Sequence, residues 1–468
     1  MKRILYILLI ALTTMSCDDF LDVKPTGKRM PETVKDYSMM LADYREHGEA
    51  LFNIYLKSPE LKLSDGLYKW LWGGTVYQKQ YMWRDHIYTE SMDDSDWTKN
   101  YHTIHVSNTI LDNIDDAELG NDPISLKNHT IANAYGTRAL TYWYLINIYG
   151  PSYTSNNLDE LTIPLALSAK ELDYEYKKEK LKDVYEQIFS DIEKAEEYAE
   201  DLPIVNTKNR TQMSVAGLKG LKAWMYQTID DHENALKYAN EALTLYDYIY
   251  DYNDLTLEYR GPFKYVKENG KSFHLYTSDD KENIVGRVGE DDWTYNFVLM
   301  GDELVDMLEG SSDLRWEYYS TTYDNWGLPL SNNQYGINWY TVTPQVGITT
   351  PLMTLIKAES EARTNKGSEA IQTLNDFREK RVKSGEFEPY SYVNDQDVID
   401  KIINERMIEF MGTGFRFLDL KRLHGYGEAT PTYTRTIEEE TVTLEPGSDQ
   451  FIMPISLKIQ NANSNLKE

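Results

Sequence analysis

Eight of the ten tryptophans stand in two stretches, 65–101 and 250–345. The second carries few helix signals and many Gly, Asn, Asp and Tyr residues, and the first is a further irregular aromatic stretch. A flat ring can stack on the C–H face of a sugar while neighbouring carboxylates, amides and guanidinium groups bond its hydroxyls. Rings need little ordering to do this, having few rotatable bonds. By type and position, the candidate ligand-binding residues in the first stretch are Asp65, Trp70, Trp72, Trp83 and Arg84. In the second they are Trp293, Tyr295, Trp316, Trp326 and Trp339. Ordinary packing is the competing role for each ring.

Catalytic constellations are weaker. Glu405, Arg406, Glu409, Arg416, Asp419 and Arg422 could pass for an acid–base cluster. Helical spacing puts Glu405 and Glu409 on one face with Arg406 one step round. Arginine makes paired bonds to carboxylates that pin helices together, so an ion network is the expectation. His102 and His105 are three apart near Asp93, Asp94 and Asp96, yet no third ligand falls at a metal spacing and no His-Glu-x-x-His occurs. There is no Gly-x-Ser-x-Gly elbow and no phosphate loop. With 76 acidic residues, any pair chosen for glycoside hydrolysis is uninformative. The expectation is a binding protein with no catalytic residues, no cofactor and no metal.

The whole composition agrees. The chain has 468 residues and a formal charge of −28, which repels phosphate backbones and excludes nucleic acid as a partner. Hydrophobic residues make up 41%, a globular balance. The single cysteine, Cys17, rules out an internal disulfide. It follows a basic start, Lys2-Arg3, and a short apolar run, Ile4 to Leu12, too short to span a bilayer. This is a signal peptide over 1–16 with a lipobox-like cut, and lipid on Cys17 is expected. A soluble secreted protein is the alternative. Pro25, Gly27 and Pro31 keep the 17–31 tether extended.

Most of the remainder reads as paired helices at 3.6-residue spacing. Helices are predicted over 97–117, 129–149, about 180–200, 213–228, 232–246, 351–364 and 367–383. The second must stop at Gly150-Pro151. Small residues (Ala216, Gly217, Gly220 and Ala223 on one helix, Ala235, Ala239 and Ala242 on the next) predict close backbone contact within a tetratricopeptide-type pair.

Together these segments resemble the SusD/RagB family. The resemblance runs through the start from Cys17 to Gly27, then the helix Ala134–Gly150 with Arg138. It continues in the Tyr185–Ala195 helix, the Arg210–Ala239 hairpin and the pair Ile356–Arg378. The block containing Glu405-Arg406, Glu409-Phe410, Gly414-Phe-Arg416 and Asp419-Leu-Lys-Arg422 is the most specific. Thr413 departs from the family's usual Glu, and Ser456 and Lys458 depart in the tail. The resemblance implies a mostly α fold, with helix pairs as scaffold, long irregular loops and few short strands. The helical-repeat region would cover 32–250 and a C-terminal region 251–468, with its irregular aromatic segment and helices, the two intertwined in one globular unit. It implies a lipid-anchored protein on the extracellular face of the outer membrane. It further implies that oligosaccharide is captured there and delivered to a SusC-like TonB-dependent transporter. Some family members serve peptide uptake, and a secreted glycoside hydrolase is the third option. Asp18 and Asp19 after the cysteine match surface display in such lipoproteins. The negative charge argues against sulfated or uronate-rich ligands.

Overall fold

The computed structural model describes residues 31–42, 54–71, 75–170, 175–272, 280–289, 298–324, 326–331, 333–338 and 344–467. Cys17 with its signal segment, and the candidates Trp72, Trp293, Tyr295 and Trp339, lie outside the described residues.

The chain enters through α1 (Val34–Met40), started by a capping box in which Thr33 and Asp36 satisfy each other's backbone N–H. Two short helices follow, α2 (Asp65–Trp70) and α3 (Thr75–Tyr81), then the long α4 (Ser95–Asn113) and α5 (Ile124–Tyr149). At 26 residues α5 is about 39 Å long. Most of its residues are buried on all sides, because α4 and α6 (Leu181–Glu196) flank it. It ends at Gly150, as the Gly-Pro pair dictates. Next come α7 (Val215–Thr228) and α8 (His232–Leu245), packed as a hairpin.

After the short α9 (Asp302–Leu308) and α10 (Leu314–Tyr319), the helical layer resumes. It consists of α11 (Thr350–Arg363), α12 (Gly367–Glu379), α13 (Asp395–Glu409) and α14 (Phe415–Gly425). Helix α11 packs on α8, α12 and α13, so the two halves share one helical layer and one main core.

α7 and α8 pack closely as expected, but the two glycines of α7 have a different job. A Cβ on Gly217 would sit 2.4 Å from Val285 Cγ2, and one on Gly220 would sit 2.5 Å from Ile348 Cγ2. These glycines make room for the strand pair β5 (Asn283–Val285) and β9 (Ile348–Thr349), not for α8. The alanines Ala235, Ala239 and Ala242 are buried on α8.

The remaining strands are short. β2 (Leu255–Arg260) and β3 (Phe263–Glu268) form a hairpin extended by β4 (Lys271–Ser272). β1 (Leu61–Lys62), β6 (Leu299–Met300), β8 (Gly336–Ile337) and β7 (Ser320–Thr321) form a sheet in that order. β10 (Tyr433–Ile437) and β11 (Glu440–Leu444) form a second hairpin.

The acid–arginine cluster is an ion network. Arg406 and Arg422 both bond Asp419, at 2.8 Å each, and Arg422 also grips both oxygens of Glu359 at 2.7 and 2.8 Å. Glu409 receives Arg315 and Arg381 at 2.8 Å each, while Glu405 pairs with Arg315 at 2.6 Å. Arg416 donates to the Tyr433 hydroxyl at 2.8 Å. The acceptors Glu359, Glu409 and Asp419 are buried, and the cations beside them hold their carboxyls below the usual range despite that burial.

Candidate ligand-binding face

Trp70 closes α2, whose N-cap Ser64 accepts from the Leu67 N–H. Trp326 stands in a turn built by Asp324. The Asp324 carboxylate accepts from the backbone of Trp326 at 2.9 Å and of Leu328 at 2.8 Å. Gly327 has φ +77°, and a Cβ there would meet Pro262 at 2.7 Å. Glycine thus lets the turn both reverse and seat against the β2–β3 tip.

The two tryptophan rings meet edge to face, with centroids 4.9 Å apart and planes at 77°. Trp70 is 52% exposed and Trp326 49%. An aromatic pair in contact yet half open to water leaves ring surface uncovered at the surface. Tyr323 and Leu328, on the same turn as Trp326, are also exposed, as is Tyr259 on β2. None of these three is among the candidates chosen by residue type and position. Their signal was their place in the same Gly/Asp-rich stretch.

The other candidates separate from this pair. Trp83 is 1% exposed and donates its indole N–H to the Lys57 carbonyl at 2.7 Å. It offers no face to a ligand, which corrects the expectation for that residue. Its burial comes from long-range packing: the Arg435 guanidinium stacks on Trp83 at 4.2 Å and on Tyr81 at 4.0 Å. That guanidinium donates to the carbonyls of Leu56, Tyr81, Ser58 and Leu61, and burial brings its pKa down to about 10. Trp316 is half-buried and packs edge to face on Tyr335 at 4.6 Å. Asp65 is exposed and accepts from the Glu438 backbone N–H at 3.2 Å, while Arg84 is half-buried and pairs with Glu440. The structure therefore brings together Trp70 and Trp326, with Asp65 on the same helix as Trp70, and draws Trp83 into the core.

Two other hollows lack such a face. A cavity of about 60 Å³ is lined by Asp280, Glu282 and Glu409. Burial raises Asp280 to about 6 and Glu282 to about 8, but the space holds a few waters and not a sugar ring. A cleft of about 860 Å³ is lined by Ser312, Asp313, Arg378, Tyr390 and Lys401, and there Arg378 covers the Tyr390 ring at 3.7 Å. His102 and His105 are exposed on α4, and no group of three metal-ligating side chains occurs among the described residues.

Residues 19–218 match a family described as "Starch-binding associating with outer membrane", and residues 353–468 match the SusD family. The chain belongs to the SusD/RagB family. Solved structures agree at the level of fold. A SusD-like carbohydrate binding protein from Bacteroides vulgatus is 19% identical, with a TM-score of 0.64 over 93% of this chain and 97% of its own. A SusD superfamily protein from Bacteroides thetaiotaomicron is 16% identical, with a TM-score of 0.68 over 92% and 98%. A SusD superfamily protein from Bacteroides fragilis is 18% identical, with a TM-score of 0.68 over 93% and 99%. No curated protein matches at the sequence level. The SusD-like architecture of helices with few short strands is thus common to this chain and these structures.

Proposed function

We propose that this SusD-like protein is a carbohydrate-binding lipoprotein of the outer membrane that captures oligosaccharide without cleaving it. The observation that carries the reading is the half-exposed ring pair of Trp70 and Trp326. The rings supply stacking, and Asp65 and the surrounding acids supply hydroxyl acceptors. Support also comes from the family description, which names starch binding, and from the structural relative named for carbohydrate binding. Lipid on Cys17 would hold the protein at the cell surface, and a SusC-like TonB-dependent barrel would receive the ligand. No helix among the described residues is long and apolar enough to cross a membrane.

Calorimetry of the mature chain lacking Cys17 against maltoheptaose, cellohexaose, xylohexaose and mannohexaose tests the proposal. The expected result is binding to at least one, abolished in Trp70→Ala and Trp326→Ala with the fold retained. Binding to peptides and to no glycan would overturn it in favour of peptide uptake, and released sugar products would overturn it in favour of hydrolysis.

A further inference from the structure

Helix α2 carries half of the ring pair and yet buries none of its residues. Leu67 and Tyr68 lean partly on a small cluster of Leu63, Leu71, Tyr81, Met82 and Ile437. Gln78 donates to the Tyr68 carbonyl at 2.8 Å. Further restraint comes from far along the chain, at the β10–β11 turn. Glu438 pairs with Lys69, the residue before Trp70, and its backbone N–H donates to Asp65 at the start of the same helix. Glu440 pairs with Arg84, just beyond α3. The turn thus holds both ends of α2, while Arg435 roots the hairpin in four backbone carbonyls beneath it.

Glu438 has φ +52°, at the first of two turn residues. Glycine is preferred at that position of a two-residue hairpin turn, and a side chain there is strained. A glutamate in this conformation is unfavourable for the hairpin alone, and its carboxylate adds the Lys69 pair to the backbone contact with Asp65 that any residue there could make. Exposed ion pairs add little to global stability. Their use here is to restrict where a weakly packed helix points.

We infer that Glu438 and Glu440 are positioning residues, a clamp through which the C-terminal hairpin sets the angle of Trp70 against Trp326. The inference rests on the proposed glycan site, and its test is separable from that proposal. Wild type, Glu438→Gly, Glu440→Gln and the double variant are compared by near-ultraviolet circular dichroism of the ring pair, by melting temperature, and by calorimetry with maltoheptaose. The double variant should lose much of the ring-pair signal and bind roughly 3- to 30-fold more weakly. Its melting temperature should stay level or rise, since glycine relieves the turn. Lys69→Glu combined with Glu438→Lys should restore both signal and affinity. An unchanged ring-pair signal would overturn the clamp. So would a melting temperature that falls in step with affinity in both single variants, because the turn would then be holding the fold. If wild type binds no glycan while the variant still loses its ring-pair signal, the clamp stands and the proposed function falls.

Discussion

Asp191 on α6 receives the Arg138 guanidinium through two bonds of 2.7 Å, and both side chains are almost wholly buried. The pair staples α6 to the long central helix α5, and Asn108 on α4 takes a third bond from the same guanidinium at 2.7 Å. Removing one partner would leave the other charge buried and alone. Asp191→Ala should therefore cost about 3–5 kcal/mol in denaturant unfolding. Replacing both members, Arg138→Met with Asp191→Leu, should cost less than the single change.

Gly217 sits against Val285 with no room for a methyl group. Gly217→Ala should destabilise by about 1–3 kcal/mol through overpacking. Adding Val285→Ala, which vacates the space, should recover part of the loss, a rescue not expected if α8 were the true neighbour of Gly217. Thermal melts of wild type and the two variants decide.

Lys421 is buried and donates to the carbonyls of Asn147 at 2.7 Å and Gly150 at 2.5 Å. Burial, with a smaller push from Lys57, lowers its pKa to about 7. A neutral amine keeps two donors, enough for those two carbonyls. Because the folded pKa lies below the unfolded value near 10.5, unfolding takes up a proton between pH 7 and 10.5. This group's contribution is thus present above that window and lost as the pH falls towards 7. Lys421→Met should flatten the rise of melting temperature with pH in this range. It should also cost about 1–3 kcal/mol for the two carbonyls left without a donor.

Charge beside the ring pair should select among glycans. Lys69 and Arg84 offset Glu438 and Glu440, while Asp65, Asp324 and Glu439 add negative charge on the segments around it. A uronate oligosaccharide should bind more weakly than a neutral one of equal length. The gap should narrow at 1 M salt, where the screening length falls to about 3 Å. Calorimetry at low and high salt measures it, and a uronate preferred at low salt would contradict the expectation.

What could be read in the sequence followed its periodicity. The helix closing at Gly150 and the α7–α8 and α11–α12 pairs announce themselves through repeated apolar spacing and terminators. The ion network was legible because arginine and carboxylate at helical spacing have few other fates. Short helices such as α2 and α3 escaped, since six or seven residues carry too few turns for a period to show. Ser64 as an N-cap was the one local sign of α2. The β10–β11 hairpin did alternate, with Thr434 and Thr436 set against Arg435 and Ile437, and could have been found that way. Nothing local separates Trp70 from Trp83. One lies open and the other is sealed because of residues hundreds of positions away, and a single sequence does not display such contacts.

Trp70 and Trp326 have a further consequence for the order of events as the chain folds. Helices α4 to α8 all lie between them, and these helices form from neighbouring contacts. The ring pair must instead close a very long loop, whose entropy is recovered only once the intervening helices have condensed. The rings are therefore expected to meet late, so that a chain that has gained most of its helix content still lacks the ring pair. Capture competence becomes a property of the finished fold, and the ring-pair dichroism a clock for its last step.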